Sequence, residues 1–227
     1  KVLDKYLPEL SVPVKPYSCK DEDFYALTVI DAAAAGNQQH KELLVLPTQV
    51  GFTACSLFTP PMDITESVYL SLAAHWMTNG VLWEKIRTIG GAYGAYAFPD
   101  MMERTFSFAT YRDPKPEKSL EIWIQELEKA SQVYIDEITM ERIITGSYSK
   151  EIQPRTPSGK GGAGFMRALY GISDEKRLEK LRSLLHAKPE DVRKILQNLL
   201  NLLGSRKMAI IFNKSLESAG NITVLPL

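Results

Sequence analysis

The chain has 227 residues whose 27 basic and 27 acidic side chains cancel, so no bulk field draws it to nucleic acid or to an anionic membrane. Its 44% hydrophobic and 24% charged content is that of a globular domain and excludes disorder, a collagen-like repeat or a coiled coil. The two cysteines, Cys19 and Cys55, have neither CxxC nor Cys/His spacing and read as free thiols of a reducing compartment.

Residues 1–20 carry Pro8, Pro13 and Pro16 and read as an extended lead-in from a preceding domain, leaving 21–227 as one α+β domain. A start at Lys1 rather than Met, with no signal peptide, reads as a piece of something longer. Phe24 to Ile30 has strand composition, and the stretch from Asp31 to Gln39 reads as a turn and loop. Leu43–Leu46 and Val50–Phe58 predict strands with a bend at Pro47. The period then changes: Val68, Leu72, Trp76, Leu82 and Ile86 predict a long helix over Ser67–Arg87, with Asp63 or Thr65 as its cap and Gly80 as a weak point.

Tyr93–Phe98 and Arg104–Tyr111 predict a hairpin. Alternation sets Gly94, Tyr96 and Phe98 against Tyr93, Ala95 and Ala97 in the first strand, and Phe106 and Phe108 against Thr105, Ser107 and Ala109 in the second. The expectation is one aromatic face buried on helices and one face of small residues, open to an extended chain or serving as a bed for more helices. Helices are predicted over 116–131, 136–152, 160–171, 174–186 and 189–203, then a last strand at Lys207–Asn213 and a short tail. The sum is an α+β layer, mainly antiparallel, with helices on one face of the sheet.

His40, His75 and His186 have no acidic partner at a metal-binding step, so neither HExxH nor HxxEH is present, and no GxSxG elbow or Walker loop occurs. Ser158–Phe165, SGKGGAGF, superficially resembles a phosphate cradle but lacks the spacing and reads as a flexible joint entering the next helix. The remaining chemistry lies in LWEKIRTIGGAYGAYAF, where Arg87 and Tyr93 flank Gly90-Gly91 and could grip a carbonyl. A last-turn cation and a half-buried aromatic explain the same two residues without function.

Four segments carry a resemblance: VLPTQVGF (45–52), LWEKIRTIGGAYGAY (82–96), ATYRDPKPEKSLE (109–121) and ALYGISDEKR (168–177). Together they resemble the C-terminal region of presequence-protease-like members of the pitrilysin and insulinase metallopeptidase family. The resemblance implies a non-catalytic C-terminal domain, inactive alone, that closes over a catalytic half of the same polypeptide around an unfolded peptide substrate. Zinc and its HxxEH motif are expected in that N-terminal half, with no metal in this chain. By matching motif, Arg87 and Tyr93 would contact the substrate carbonyl and its transition state, with Gly90, Gly91, Ala92 and Ala95 beside the substrate. The alternative is a catalytically inactive relative acting as a structural or peptide-binding subunit. Neither reading involves nucleic acid or membrane, and the expected location is the bacterial cytoplasm, or an organelle in a eukaryote.

Overall fold

The computed structural model describes residues 40–45, 48–101, 103–212 and 223–224. The expected lead-in at 1–20, the strand near Phe24, the stretch 31–39, Cys19 and most of the tail lie outside the described residues. All that is described belongs to one compact unit, Asn37–Leu227.

Six strands form one sheet: β1 (His40–Val45), β2 (Phe52–Phe58), β3 (Gly94–Asp100), β4 (Thr105–Tyr111), β5 (Lys207–Phe212) and β6 (Thr223–Val224), in the order β3-β4-β2-β5-β1-β6. β2, β3, β4 and β5 pair antiparallel, while β1 runs parallel to β5 and β6. The helices are α1 (Ile64–Met77), α2 (Pro116–Ala130), α3 (Glu137–Glu151), α4 (Pro157–Leu169), α5 (Asp174–Leu185) and α6 (Pro189–Asn201). This is the mainly antiparallel α+β layer expected.

α1 begins where its cap dictates. Asp63 accepts from the Glu66 N–H at 2.8 Å, and the Glu66 carboxylate receives the Asp63 N–H, closing a capping box. The helix buries Val68, Leu70, Leu72, Ala73, Ala74 and Met77, more than one stripe, because it runs between β3 and the helices α3, α5 and α6. The expected single helix to Arg87 changes winding at Thr78 and continues as a π-helix over Thr78–Ile89. A π-helical run of this length is rare.

The pleat of the hairpin corrects the expected faces. Ala97 lies opposite Phe108, Pro99 opposite Phe106 and Ala95 opposite Thr110, so these residues share the helix-facing side. Tyr96 lies opposite Ala109 and Phe98 opposite Ser107, on the other side, where Tyr96 and Phe98 are 47% and 45% exposed. Aromatic residues of the two strands therefore point in opposite directions, because the connection between them sets a register one residue away from the one that would align them. The pairing of small with large has a packing reason: beside Ala97, Phe108 stacks on the Trp123 ring of α2 at 5.3 Å and 15°. The open face mixes aromatic rings with Ala54, Ala109 and the Ser56–Ser107 hydroxyl pair, rather than being small throughout.

β3 is an edge strand, and its free edge is partly closed. The Ala97 N–H donates to the Thr78 hydroxyl at 2.8 Å, the hydroxyl donates to the Ala97 carbonyl, and Pro99 has no N–H to offer. The glycine-rich Ser158–Phe165 segment is also corrected: it is not a joint but the body of α4, started by Pro157 at its first turn and the Thr156 cap.

Candidate functional site

The π-helix ends on glycine for two separate reasons. A Cβ at Gly90 would sit 2.4 Å from the Ile86 carbonyl oxygen, and Gly91 has φ 86°, which only glycine adopts at no steric cost. The Gly91 N–H donates to the Arg87 carbonyl and the Ala92 N–H to that of Ile86, both at 3.1 Å, an αL-type cap. The chain reverses there and returns as β3, which places Tyr93 beside the helix that precedes it. Ile86 and Leu82, fully buried, bed the end of the helix in the core.

Arg87 is held between two rings. Its guanidinium carbon lies 3.7 Å above the centre of the Trp83 ring, four residues earlier, and 6.0 Å from that of Tyr93. Tyr93 in turn meets Tyr111 edge-on at 5.9 Å, and Tyr111 meets Phe52 edge-on at 5.7 Å. Tyr93 is 64% exposed, so its hydroxyl is open to solvent. Stacking occupies the flat faces of a guanidinium and leaves its in-plane N–H groups available. Among the described residues no carboxylate pairs with Arg87, and no side-chain hydrogen bond engages the Arg87 guanidinium or the Tyr93 hydroxyl.

These residues border an open cavity of about 640 Å³ lined by Val50, Trp83, Arg87, Gly91, Tyr93 and Arg112 among others. Arg112, just after β4, lies in the left-handed region, φ 49°, an uncommon conformation for a residue with a side chain. The paired backbone of Gly51 and Asp113, bonded in both directions at 2.6 and 2.8 Å, holds it there. Asp113 is 1% exposed and its Oδ1 accepts from the Lys115 N–H at 2.8 Å, fixing the turn that follows. The cavity therefore holds two guanidiniums and two phenol or indole rings, a surface suited to a carbonyl or a carboxylate on an extended chain.

The structure thus brings Arg87, Tyr93, Gly90 and Gly91 together. The Ala92 and Ala95 side chains are buried, 3% and 2% exposed, so those two positions can offer only backbone. Sequence reasoning missed Trp83, Tyr111 and Arg112. Trp83 stands one turn before Arg87, and Tyr111-Arg112 lie inside ATYRDPKPEKSLE, so the signal was present but needed the fold to connect it. Lys85, on the same π-helix, reaches the buried Glu126 of α2 at 2.5 Å, and Lys129 reaches the same oxygen at 2.8 Å. Burial alone would raise the Glu126 carboxyl, but the hydrogen bonds and charges of Lys129 and Lys85 outweigh it and hold the group below its ordinary range. Cys55, fully buried, is a free thiol pushed up to about 12 by burial and is inert.

Residues 41–212 match the family described as the PreP C-terminal domain. The chain belongs to that family. It is 29% identical over 158 residues to presequence protease 1, chloroplastic/mitochondrial, of Arabidopsis thaliana, covering 69% of this chain and 14% of that protein. With the mitochondrial presequence protease of Saccharomyces cerevisiae it shares 27% over 176 residues, covering 75% of this chain and 17% of that one. A Borreliella burgdorferi protein is 27% identical over 168 residues, so relatives are found in bacteria as well as organelles. The chain spans less than a fifth of each of these relatives.

Among solved structures, pitrilysin superposes with a TM-score of 0.61 at 15% identity, covering 83% of this chain and 21% of that one. The peptidase M16 inactive domain from Pseudomonas fluorescens gives 0.63 at 14%, covering 78% of this chain and 44% of that one. Those likenesses show the fold. Among the described residues no group of three or more His, Cys, Asp or Glu could hold a metal ion, so the residues described here do not fit the zinc on which M16 peptidases depend. No helix among the described residues is long and apolar enough to cross a membrane.

Proposed function

We propose that this domain is the non-catalytic C-terminal part of a zinc-dependent peptidase that degrades unfolded peptides, closing over the catalytic half of the same polypeptide. The zinc and its ligands belong to that other half. The observation that carries this reading is the Arg87 guanidinium, stacked on Trp83 and 6.0 Å from the centre of the Tyr93 ring, at the rim of an open cavity with its N–H groups uncommitted among the described residues. A peptide carbonyl gains negative charge when its carbon is attacked, and donors placed in advance lower that barrier. Arg87 supplies a charged donor and Tyr93 a neutral one, neither of which competes as a metal ligand. The aromatic and small residues of the open sheet face form the wall along which the peptide lies.

The test uses the complete polypeptide. Tyr93→Phe keeps the ring that packs on Tyr111 and removes only the hydroxyl; Arg87→Ala removes the guanidinium. Each is expected to lower peptide turnover on the order of 10² to 10³, the usual effect of losing one such donor, with metal content unchanged. Wild-type rates in both variants would sink the proposed role.

A second reading, a catalytically inactive relative that binds peptide or serves as a structural subunit, draws on the description of the Pseudomonas fluorescens neighbour as an inactive domain. The two separate on one comparison: a complete polypeptide that binds an unfolded peptide through Arg87 without shortening it supports the second and excludes the first.

A further inference from the structure

Helix α4 is specified at both ends and, among the described residues, has no buried side chain between them. Thr156 accepts from the Gly159 N–H at 3.2 Å, and Gly171, at φ 60°, closes the far end with Ile172 N–H donating to Arg167 and Gly171 N–H to Ala168. Yet none of its residues is buried, and no other described element packs extensively along it. Phe165 and Leu169 stand 65% and 63% exposed, with Met166 and Tyr170 at 44% beside them. Gly159, Gly161, Gly162 and Gly164 weaken the helix from within, and 13 residues make a marginal helix in water even with better formers. Such a helix persists by packing, so a partner is missing from the described elements.

The helix also describes that partner. Gly161, Phe165 and Leu169 follow at four-residue steps, giving one face that is glycine at the start and apolar at the end. A Cβ at Gly161, Gly162 or Gly164 would meet nothing within 4 Å, so another backbone can approach closely there. No carboxylate occurs between Glu151 and Asp174, while Arg155, Lys160 and Arg167 do, so the rim is cationic. A second copy in a two-fold pairing would set cations against cations. A membrane would gain little from the glycine half, which has no apolar side chain to bury. The matched region makes up 14% and 17% of the Arabidopsis and yeast relatives, so a polypeptide of their length has ample surface outside this domain.

We propose that α4 docks through its Gly161–Phe165–Leu169 face on another part of the same polypeptide, into an apolar groove rimmed by Asp or Glu. This goes beyond the role given to Arg87 and Tyr93 and does not depend on it, and the readout below is not turnover.

In the complete polypeptide, amide hydrogen exchange over 157–172 should be slowed about 100-fold or more relative to an unstructured peptide. Phe165→Asp with Leu169→Asp should remove that protection while amides of β4 and α2 keep theirs. Gly161→Ala with Gly162→Ala should weaken it about tenfold or more, although alanine favours helix, because the added methyls hold the partner off. A photo-reactive p-benzoylphenylalanine in place of Phe165 should cross-link within the same chain, a measurement that needs neither variant. Free exchange of 157–172 in the wild type, greater protection in the alanine pair, a cross-link to a second copy, or capture of the polypeptide by anionic phospholipid vesicles through this helix would each overturn the proposal.

Discussion

Gly90-Gly91 and Gly159–Gly164 are the chain's two glycine-rich stretches, and their surroundings are opposite. At the first, a methyl group on Gly90 would strike the Ile86 carbonyl, Gly91 has a left-handed backbone, and hydrogen bonds from residues 90 to 92 close the turn. At the second, the backbone is helical throughout and three of four glycines have open space above them. One stretch stops a helix because the core beneath it demands a reversal. The other lies inside a helix that no described neighbour supports. The same residue type thus marks a fixed site in one place and an unfilled contact in the other, and only the neighbours distinguish them.

The strongest way to break this contrast is to remove the bed of each segment. Ile86 is fully buried under the Arg87 turn, and Ile86→Ala should cost about 2 to 5 kcal/mol in a chemical denaturation of this chain. Phe165→Ala, on α4, should change the same measurement by less than about 0.5 kcal/mol, since nothing described packs on it. Equal costs would mean that α4 is supported within the chain after all.

Electrostatic anchoring separates the two regions as well. Lys85 ties the π-helix to Glu126, which is buried, whereas the described ion pairs of the chain include none to a cation within α4. Glu126→Gln should cost about 1 to 2 kcal/mol, the scale of a lost charge-assisted hydrogen bond discounted for partly exposed lysines. Because the folded Glu126 carboxyl lies below its ordinary value of 4.5, its contribution is present above that pH and is lost as the pH falls through the lower folded value. His75, lowered first by burial and then by Lys150, adds a loss that begins as the pH drops below 6.5. A melting series from pH 7 to 3 should show both declines in the wild type and a shallower lower one in Glu126→Gln, where Asp136 and Glu175, also held below their ordinary values, still contribute to it.

Much of this was legible in advance because it rests on local rules. The strand and helix sequence, the Asp63 cap and the break after Arg87 follow from period, capping chemistry and paired glycines. The pleat of the hairpin was not legible, since alternation sorts residues within a strand but says nothing about which residue of the next strand lies opposite. That one-residue difference moved Tyr96 and Phe98 from core to surface. Trp83, one turn before Arg87, was within reach of helical spacing, whereas Tyr111 and Arg112 join the site only through the fold and the left-handed residue that follows β4. The α4 glycines predict a joint, but helix propensity is a weak prior and the Thr156-Pro157 start overrides it.

The finest test of the contrast places one substitution in both stretches and asks for its sign. Gly91→Ala puts a Cβ on a residue at φ 86°, which costs about 1 to 2 kcal/mol from the backbone alone, since Pro114 at 3.5 Å would make only an ordinary contact. Gly162→Ala meets nothing within 4 Å and has ordinary helical backbone, so in this chain it should stabilise by up to about 0.8 kcal/mol, less if α4 frays before the rest unfolds. Denaturant midpoints of the two variants should therefore move in opposite directions. If both fall, the space above Gly162 is already filled within this chain, and the partner proposed for α4 would have to be sought there rather than in the remainder of the polypeptide.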